Sequence, residues 1–288
     1  MKSDVRLLKQ QGKSTQTERS RRTRMAAPRD LLAVAAALRQ RLRSRARTYG
    51  AWVSIGHPDI ASLFASARGH FVGVDLEHPI TELSMVQAMI RACHEHDRAC
   101  LPRIFPGQFE QLRRLLDAGA DGVIVPQVSS REDIDRVVDA MRYPPEGRRS
   151  FGVAAAHRFG RAFDAYVRSA NRSLSLIIQV ESTDAVTHID ALVSHPAVDG
   201  VMVGPYDLSG WMGIPGALTH PRVTQACKRV IQACAKASRS CGIHLPYPHA
   251  KQIREELANG FTFLVLGSDI FHLCQRSFEI DAMIEACG

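Results

Sequence analysis

The fold predicted for this chain is a single (β/α)8 barrel, and three observations lead to it. Eight short apolar runs alternate with amphipathic stretches, no hairpin turns separate them, and four of the runs end beside ionisable side chains. With 288 residues, 45% of them hydrophobic, the chain can fill one large core, and such barrels take about 250 residues. In a closed parallel barrel the C-terminal strand ends share one mouth, so chemistry is expected there. An open doubly wound sheet is the rival architecture, but its fingerprint, a Gly-rich turn after the first strand with an acid about 20 residues later, is absent.

Residues 1–29 are polar and basic and carry almost no large apolar side chain after Leu8, so they read as a disordered extension. Residues 1–30 hold nine Lys or Arg against Asp4, Glu18 and Asp30, which accounts for +6 of the net charge of +8. The basic character therefore belongs to the tail. Its run Arg19 to Arg24 has no interleaved aromatic residue, and nucleic acid is not an expected partner.

The barrel domain is read as residues 30–288. Asp30 can cap a helix that carries Leu31, Leu32, Val34, Ala35, Leu38 and Leu42 at helical spacing. Strands are expected at 51–55, 71–74, 99–101, 122–125, 174–180, 198–203, 241–245 and 263–266. Helices are expected at 83–94, 109–116, 132–141, 186–193, 223–237 and 250–257. Gly119 and Gly260 stand where a helix ends in the left-handed conformation before the next strand begins. One connection is long: it opens with Tyr143-Pro144-Pro145-Glu146-Gly147-Arg148-Arg149 and reaches Ser173. It is either a cover for the mouth or a peripheral packing insert.

The seven cysteines form no Cys-x-x-Cys pair and no zinc spacing, so they read as reduced thiols, with Cys227 and Cys234 packing on one helix face. There is no apolar run of about 18 residues and no apolar leader, and a cytoplasmic protein without membrane contact is expected.

Candidate chemistry follows from the strand ends. Glu181 and Asp207 follow the fifth and sixth strands; two carboxylates with water and substrate oxygens make the donor set that Mg²⁺ or Mn²⁺ favours, although each acid could equally cap a helix. His78 has Asp75 and Glu77 beside it, and a carboxylate-oriented imidazole serves as a base near neutral pH. Arg103 ends the third strand, where a permanent positive charge can hold a carboxylate or a developing enolate. No lysine occurs between Lys13 and Lys228, which disfavours a Schiff base on any of the first six strands.

Taken together, Asp75-Leu76-Glu77-His78-Pro79, Arg103, the Tyr143 to Arg149 segment, Gln179-Val180-Glu181 and Gly204-Pro205-Tyr206-Asp207-Leu208-Ser209 resemble the metal-dependent pyruvate aldolases of the HpcH/HpaI family, from about Leu38 to the C-terminus. The resemblance implies a barrel that exchanges its last helix with a neighbour in a homohexamer. It implies Glu181 and Asp207 as ligands of Mg²⁺, Mn²⁺ or Co²⁺, with Gln179 nearby. A 2-oxo acid would lie against the backbone at Gly204, Pro205, Tyr206 and Asp207, with Arg149 as a further matching position. His78, oriented by Asp75, would move the proton of the C4 hydroxyl, and Arg103 would stabilise the enolate. The reaction implied is cleavage or formation of a 4-hydroxy-2-oxo acid from pyruvate or oxaloacetate and an aldehyde.

Three departures bear on substrate. Tyr206 replaces the usual Ala, His244 replaces Leu in the seventh strand, and His57 replaces a small polar residue. They suggest extra bulk and positive charge near the mouth, reading an anionic or hydroxyl group. A CoA-linked lyase or citrate-forming enzyme is the alternative, with Arg148, Arg149, Arg158 and Arg161 as phosphate contacts. An inactive barrel that binds partners through its basic tail is the third reading.

Overall fold

The computed structural model describes residues 32–287, so the expectations for the basic extension and for Asp30 as a cap lie outside the described residues. Eight parallel strands close in sequence order: β1 (Thr48–Val53), β2 (Phe71–Asp75), β3 (Ala99–Arg103), β4 (Gly122–Val125), β5 (Ser175–Val180), β6 (Gly200–Val203), β7 (Ser240–Leu245) and β8 (Phe263–Ser268). The barrel shuts where Thr48 pairs with Phe263 and Tyr49 with Leu264. The first strand begins three residues earlier than its apolar run suggests, because Thr48 is fully buried and its hydroxyl is satisfied by Ala46.

Helices clothe the outside. They are α1 (Ala33–Arg43), α2 (Pro58–Ser66), α3 (Leu83–Glu95), α4 (Phe109–Ala118), α5 (Arg131–Met141), α6 (Phe163–Ser173), the short α7 (Thr183–Thr187) and α8 (Ile189–Ser194), α9 (Pro205–Trp211), α10 (Pro221–Lys236), α11 (Ala250–Asn259) and α12 (Asp269–Cys287). None is long and apolar enough to cross a membrane among the described residues. Gly119 and Gly260 end α4 and α11 at φ of 112° and 106°, as expected. The one helix expected over 186–193 is two, broken at His188.

Two cores result. The larger lies between strands and helices. The smaller fills the barrel itself with Trp52, Phe71, Leu101, Ile124, Ile177 and Phe263, and is plugged at the N-terminal end by Leu38 and Leu42 of α1. The rings of Phe71 and Phe263 meet edge to face at 6.4 Å. They fit because the strands beside them carry glycine: a Cβ on Gly50 would lie 2.3 Å from the Phe71 ring, and one on Gly242 would lie 2.2 Å from the Phe263 ring.

The long connection runs from the end of α5 to the start of β5 and therefore crosses the N-terminal face, since a helix that follows a strand ends opposite that strand's C-terminus. It does not cover the mouth. It contains α6 and packs as an insert, pinned by Arg149. That guanidinium is 1% exposed, lies 4.6 Å from the Tyr143 ring and 5.7 Å from the Tyr166 ring, and donates to Asp117 Oδ1 at 2.6 Å in the last turn of α4. The expectation of Arg149 as a substrate contact is thus corrected: its charge is taken up by Asp117 and two aromatic faces at the base.

Candidate active site

The C-terminal strand ends surround a cavity of about 340 Å³. Arg103 closes β3 and is 8% exposed. Its Nε donates to Asp75 Oδ1 at 2.9 Å, Nη2 reaches Asp75 Oδ2 at 2.8 Å, and Nη1 lies 3.0 Å from Glu77 Oε2. Beneath, the guanidinium stacks over Trp52 at 4.9 Å. Strand pairing sets this up, because Asp75 and Arg103 are register partners at the ends of β2 and β3.

Asp75 therefore spends both carboxylate oxygens on Arg103 and on the Glu77 N–H at 3.0 Å, rather than orienting His78. The imidazole of His78 is exposed and lines the cavity just beyond this pair. Glu77 has its carboxyl held above the usual range by burial, against the pull of Arg103.

Glu181 leaves the end of β5 and is 5% exposed. Oε1 accepts the Gln127 N–H at 2.7 Å, and Oε2 accepts from Gln179 Nε2. Gln127 adopts φ of 55°, a left-handed conformation that aims its amide at the carboxylate. No cation answers Glu181 among the described residues, and its carboxyl is pushed up to about 7, first by burial and then by the charges of Glu77 and Asp207. Gly204 makes room for it: a Cβ there would lie 3.0 Å from Glu181 Cβ, 3.2 Å from Oε2 and 3.4 Å from Gln179 Nε2.

Pro205 is the first residue of α9, so Asp207 falls in its first turn, facing the cavity. The N–H groups of Tyr206 and Asp207 belong to that turn, where no helical carbonyl is available. Buried Gln179 Oε1 also lacks a partner among the described residues. A buried carboxylate without a cation, a second carboxylate facing it, an orphaned amide oxygen and a glycine cradle together suit a hard divalent ion that keeps water ligands. Among the described residues no cluster of three or more His, Cys, Asp or Glu could hold a metal, so protein would supply only part of the shell.

Of the three unusual residues, Tyr206 and His244 lie near the mouth without lining the cavity, and His57 lies apart from it. Tyr206 is 63% exposed and lies outward against Gly216, beside the cavity. His57 caps α2, with Nδ1 accepting the Asp59 N–H at 3.2 Å, and does not line the cavity. His244 is stacked on Trp52 at 5.9 Å and its Nε2 donates to Gly267 O at 3.3 Å; burial pushes its imidazole down to about 4. It carries no positive charge at neutral pH, which corrects that expectation.

Sequence reasoning missed part of the rim. Gln127, Ser129, Ser182, Asp184 and Trp211 all line the cavity. Helical spacing gives a partial signal: Asp184 follows Glu181 by three residues, and Trp211 follows Asp207 by four on α9. Trp52 carried no such signal. Among the described residues no lysine lies on a strand; Lys228 and Lys236 sit on α10 and Lys251 on α11.

The HpcH/HpaI aldolase/citrate lyase profile matches residues 48–275. The hydroxypyruvate/pyruvate aldolase of Delftia acidovorans is 32% identical over 238 residues, covering 82% of this chain and 87% of that protein. The 2-keto-3-deoxy-L-rhamnonate aldolase of Salmonella typhi is 33% identical over 230 residues, covering 79% and 85%. The crystal structure of an HpcH/HpaI aldolase/citrate lyase family protein from Burkholderia cenocepacia superposes with a TM-score of 0.81 at 28% identity, covering 87% of this chain and 99% of that one. Profile, relatives and fold agree, and the chain belongs to the HpcH/HpaI aldolase/citrate lyase family.

Proposed function

We propose that this protein is a divalent-metal-dependent aldolase, a carbon–carbon lyase that splits or joins 4-hydroxy-2-oxo acids, with pyruvate or oxaloacetate as one half and an aldehyde as the other. The observation that carries the reading is the buried, cation-free Glu181 beside Asp207, at one mouth with a doubly paired Arg103. Glu181 and Asp207 would hold the ion, Mg²⁺, Mn²⁺ or Co²⁺, and Gln179 would complete the pocket around it. When bound, the cation supplies Lewis acidity at the keto oxygen of the 2-oxo acid.

The remaining steps belong to the chain. The free N–H groups of Tyr206 and Asp207 receive the substrate carboxylate, aided by the backbone turn from Gly204 through Pro205. Asp75 and Glu77 fix the Arg103 guanidinium, which faces the negative charge that develops at the keto oxygen as the C3–C4 bond breaks. His78, at the rim, takes the C4 hydroxyl proton directly or through one water. No lysine on a strand competes as a Schiff-base former among the described residues.

A homohexamer with the last helix exchanged accords with α12, which buries only Asp269 and exposes Leu273, Phe278, Met283 and Ile284. The CoA-linked alternative has less support. Arg149 is consumed in the base, and Arg148, Arg158 and Arg161 sit on the same N-terminal connection, away from the mouth.

The test is pyruvate release from a panel of 4-hydroxy-2-oxo acids with and without Mg²⁺, Mn²⁺ or Co²⁺, with Glu181→Ala as control. Metal-dependent release that disappears in the variant is expected. Silence across the panel, with turnover of an acyl-CoA substrate, would overturn the aldolase reading.

A further inference from the structure

We infer that the N-terminal face of the barrel, opposite the mouth, carries a binding site for a phosphate dianion, free or as the phosphate group of a small molecule, seated over the guanidinium groups of Arg43, Arg45, Arg142 and Arg239. The chemistry at the mouth does not use this face.

Topology gathers these arginines. The turns that lead from helix to strand lie at the N-terminal ends of the strands. Arg45 stands between α1 and β1, Arg142 just after α5, and Arg239 between α10 and β7. One carbonyl ties two of the turns together: Leu42 O accepts both the Arg45 N–H at 3.1 Å and the Ser240 hydroxyl at 2.8 Å. Arg43 reaches the start of β6, where its Nε donates to Asp199 and its Nη2 to Pro196 O at 2.6 Å. Arg39 also holds that carboxylate, at 3.0 Å, and Arg142 meets Glu146 at 2.8 Å.

The charges in this patch do not balance. Arg39, Arg43, Arg45, Arg142 and Arg239 share only Asp199 and Glu146 as partners among the described residues. Asp199 is fully buried and already divided among Arg39, Arg43 and the Leu176 N–H, which leaves nothing for Arg239. Arg45 Nη1 and Arg239 Nε lack even a hydrogen-bond acceptor among the described residues. Burial draws Arg142 and Arg239 below the ordinary guanidinium range, and the charges of Arg39 and Arg43 pull the same way. The carbonyl end of α1 accommodates part of the surplus, since Arg41 and Arg43 lie in its last turn.

Arg45 lies beyond that turn at φ of 55°, in the left-handed position that the turns before β4 and β8 give to Gly119 and Gly260. The fold therefore holds an arginine where glycine is easiest. A tetrahedral dianion matches what the patch lacks: it accepts from forked guanidinium groups two hydrogen bonds at a time, and its charge offsets most of the local surplus. Arg43, Arg45, Arg142 and Arg239 are all half-buried and converge from separate turns, a compact arrangement that suits a small anion better than an extended strand of nucleic acid.

The experiment titrates the full chain with inorganic phosphate and with glycerol 3-phosphate by calorimetry at constant ionic strength, with Mg²⁺ and pyruvate present so that the mouth is occupied. Saturable binding of one anion per chain is expected, and phosphate at about 100 times Kd should raise Tm by about 5 °C or more. Equal affinity for the two probes identifies free phosphate as the ligand; tighter binding of the ester identifies a phosphorylated small molecule. In the double variant Arg45→Gln, Arg239→Gln, Kd should rise about tenfold or more through lost charge-assisted hydrogen bonds. Without anion the variant should melt no lower than wild type at low salt, because like charges have been removed, and its turnover at the mouth should be unchanged. Stabilisation that sodium chloride reproduces at the same ionic strength, or a Kd unmoved in the folded variant, would overturn the site. So would a variant that changes oligomeric state in light scattering, which would make the face a contact between copies, or variant-sensitive binding of a single-stranded oligonucleotide without saturable phosphate binding.

Discussion

At the base of the barrel Asp199 is fully buried and meets Arg39 Nε at 3.0 Å, Arg43 Nε at 2.5 Å and the Leu176 N–H at 2.9 Å. At the mouth Glu181 is almost as buried and meets no cation among the described residues. The same contrast repeats nearby. Asp117 at the base holds Arg149, whereas Asp207 and Asp184 at the mouth face open cavity. A buried acid that is paired belongs to the scaffold; one left unpaired is held in place by the rest of the fold and awaits a ligand. At the base each of these acids thus has a guanidinium of its own, whereas at the mouth Arg103 is already held by Asp75 and Glu77, and Glu181, Asp207 and Asp184 add further negative charge.

Glu181→Gln should break the comparison most severely. Aldolase kcat/KM is expected to fall by about 10³-fold or more, the scale of losing one well-placed electrostatic group, while the metal-free protein gains stability at pH 8. The sign follows from a carboxyl that titrates near 7 in the fold and at 4.5 when unfolded. Its favourable contribution is complete below 4.5 and is lost as pH rises through about 7. Melting of chelator-treated wild type from about pH 4.5 to 8 should show this decline, the variant should lack it, and Mn²⁺ should restore the loss only in wild type. Equal pH dependence in both proteins would refute the reading of Glu181 as an unpaired buried acid.

Arg149→Leu attacks the base. It removes the charge between two tyrosine rings and leaves Asp117 unpaired, for a cost of about 3 kcal/mol. Denaturant midpoints should record that cost, with kcat/KM of the folded fraction unchanged; a selective loss of activity would return Arg149 to the substrate site. Gly242→Ala is a smaller perturbation of the same end of the barrel. Its Cβ would press on the Phe263 ring, which cannot yield in a filled barrel, and about 1–3 kcal/mol should be lost by urea titration.

His244 sharpens the comparison on the acid side. Its imidazole titrates near 4 in the fold against 6.5 when unfolded, so its contribution is complete above 6.5 and fades as pH falls toward 4. His244→Leu should flatten that acid limb of the stability curve, an effect of roughly 1–2 kcal/mol for a half-buried ring. The smallest expected change is His57→Ala: about 1 kcal/mol from a lost helix cap, with acceptor preference untouched in the kinetic panel.

Much of this architecture is legible in the sequence. Alternating apolar runs determine the strand count, and the ionisable residues at 75, 103, 181 and 207 mark one end of one barrel, because strand direction and side-chain alternation are local properties of the chain. The long stretch of sequence without lysine likewise disfavours a Schiff base from composition alone. Pairings are not legible. Asp75 lies three residues from His78 and 28 from Arg103, yet the register of β2 on β3 gives its carboxylate to Arg103. Arg149 and His244 look like mouth residues by resemblance, but one is turned to the base by the direction of an αβ connection and the other is neutralised by burial beside Trp52. Local sequence decided the elements and their order. Only closure of the barrel decided which charges are matched, which are dried out and which remain free, since solvation and partner distance are set by segments far apart in the chain.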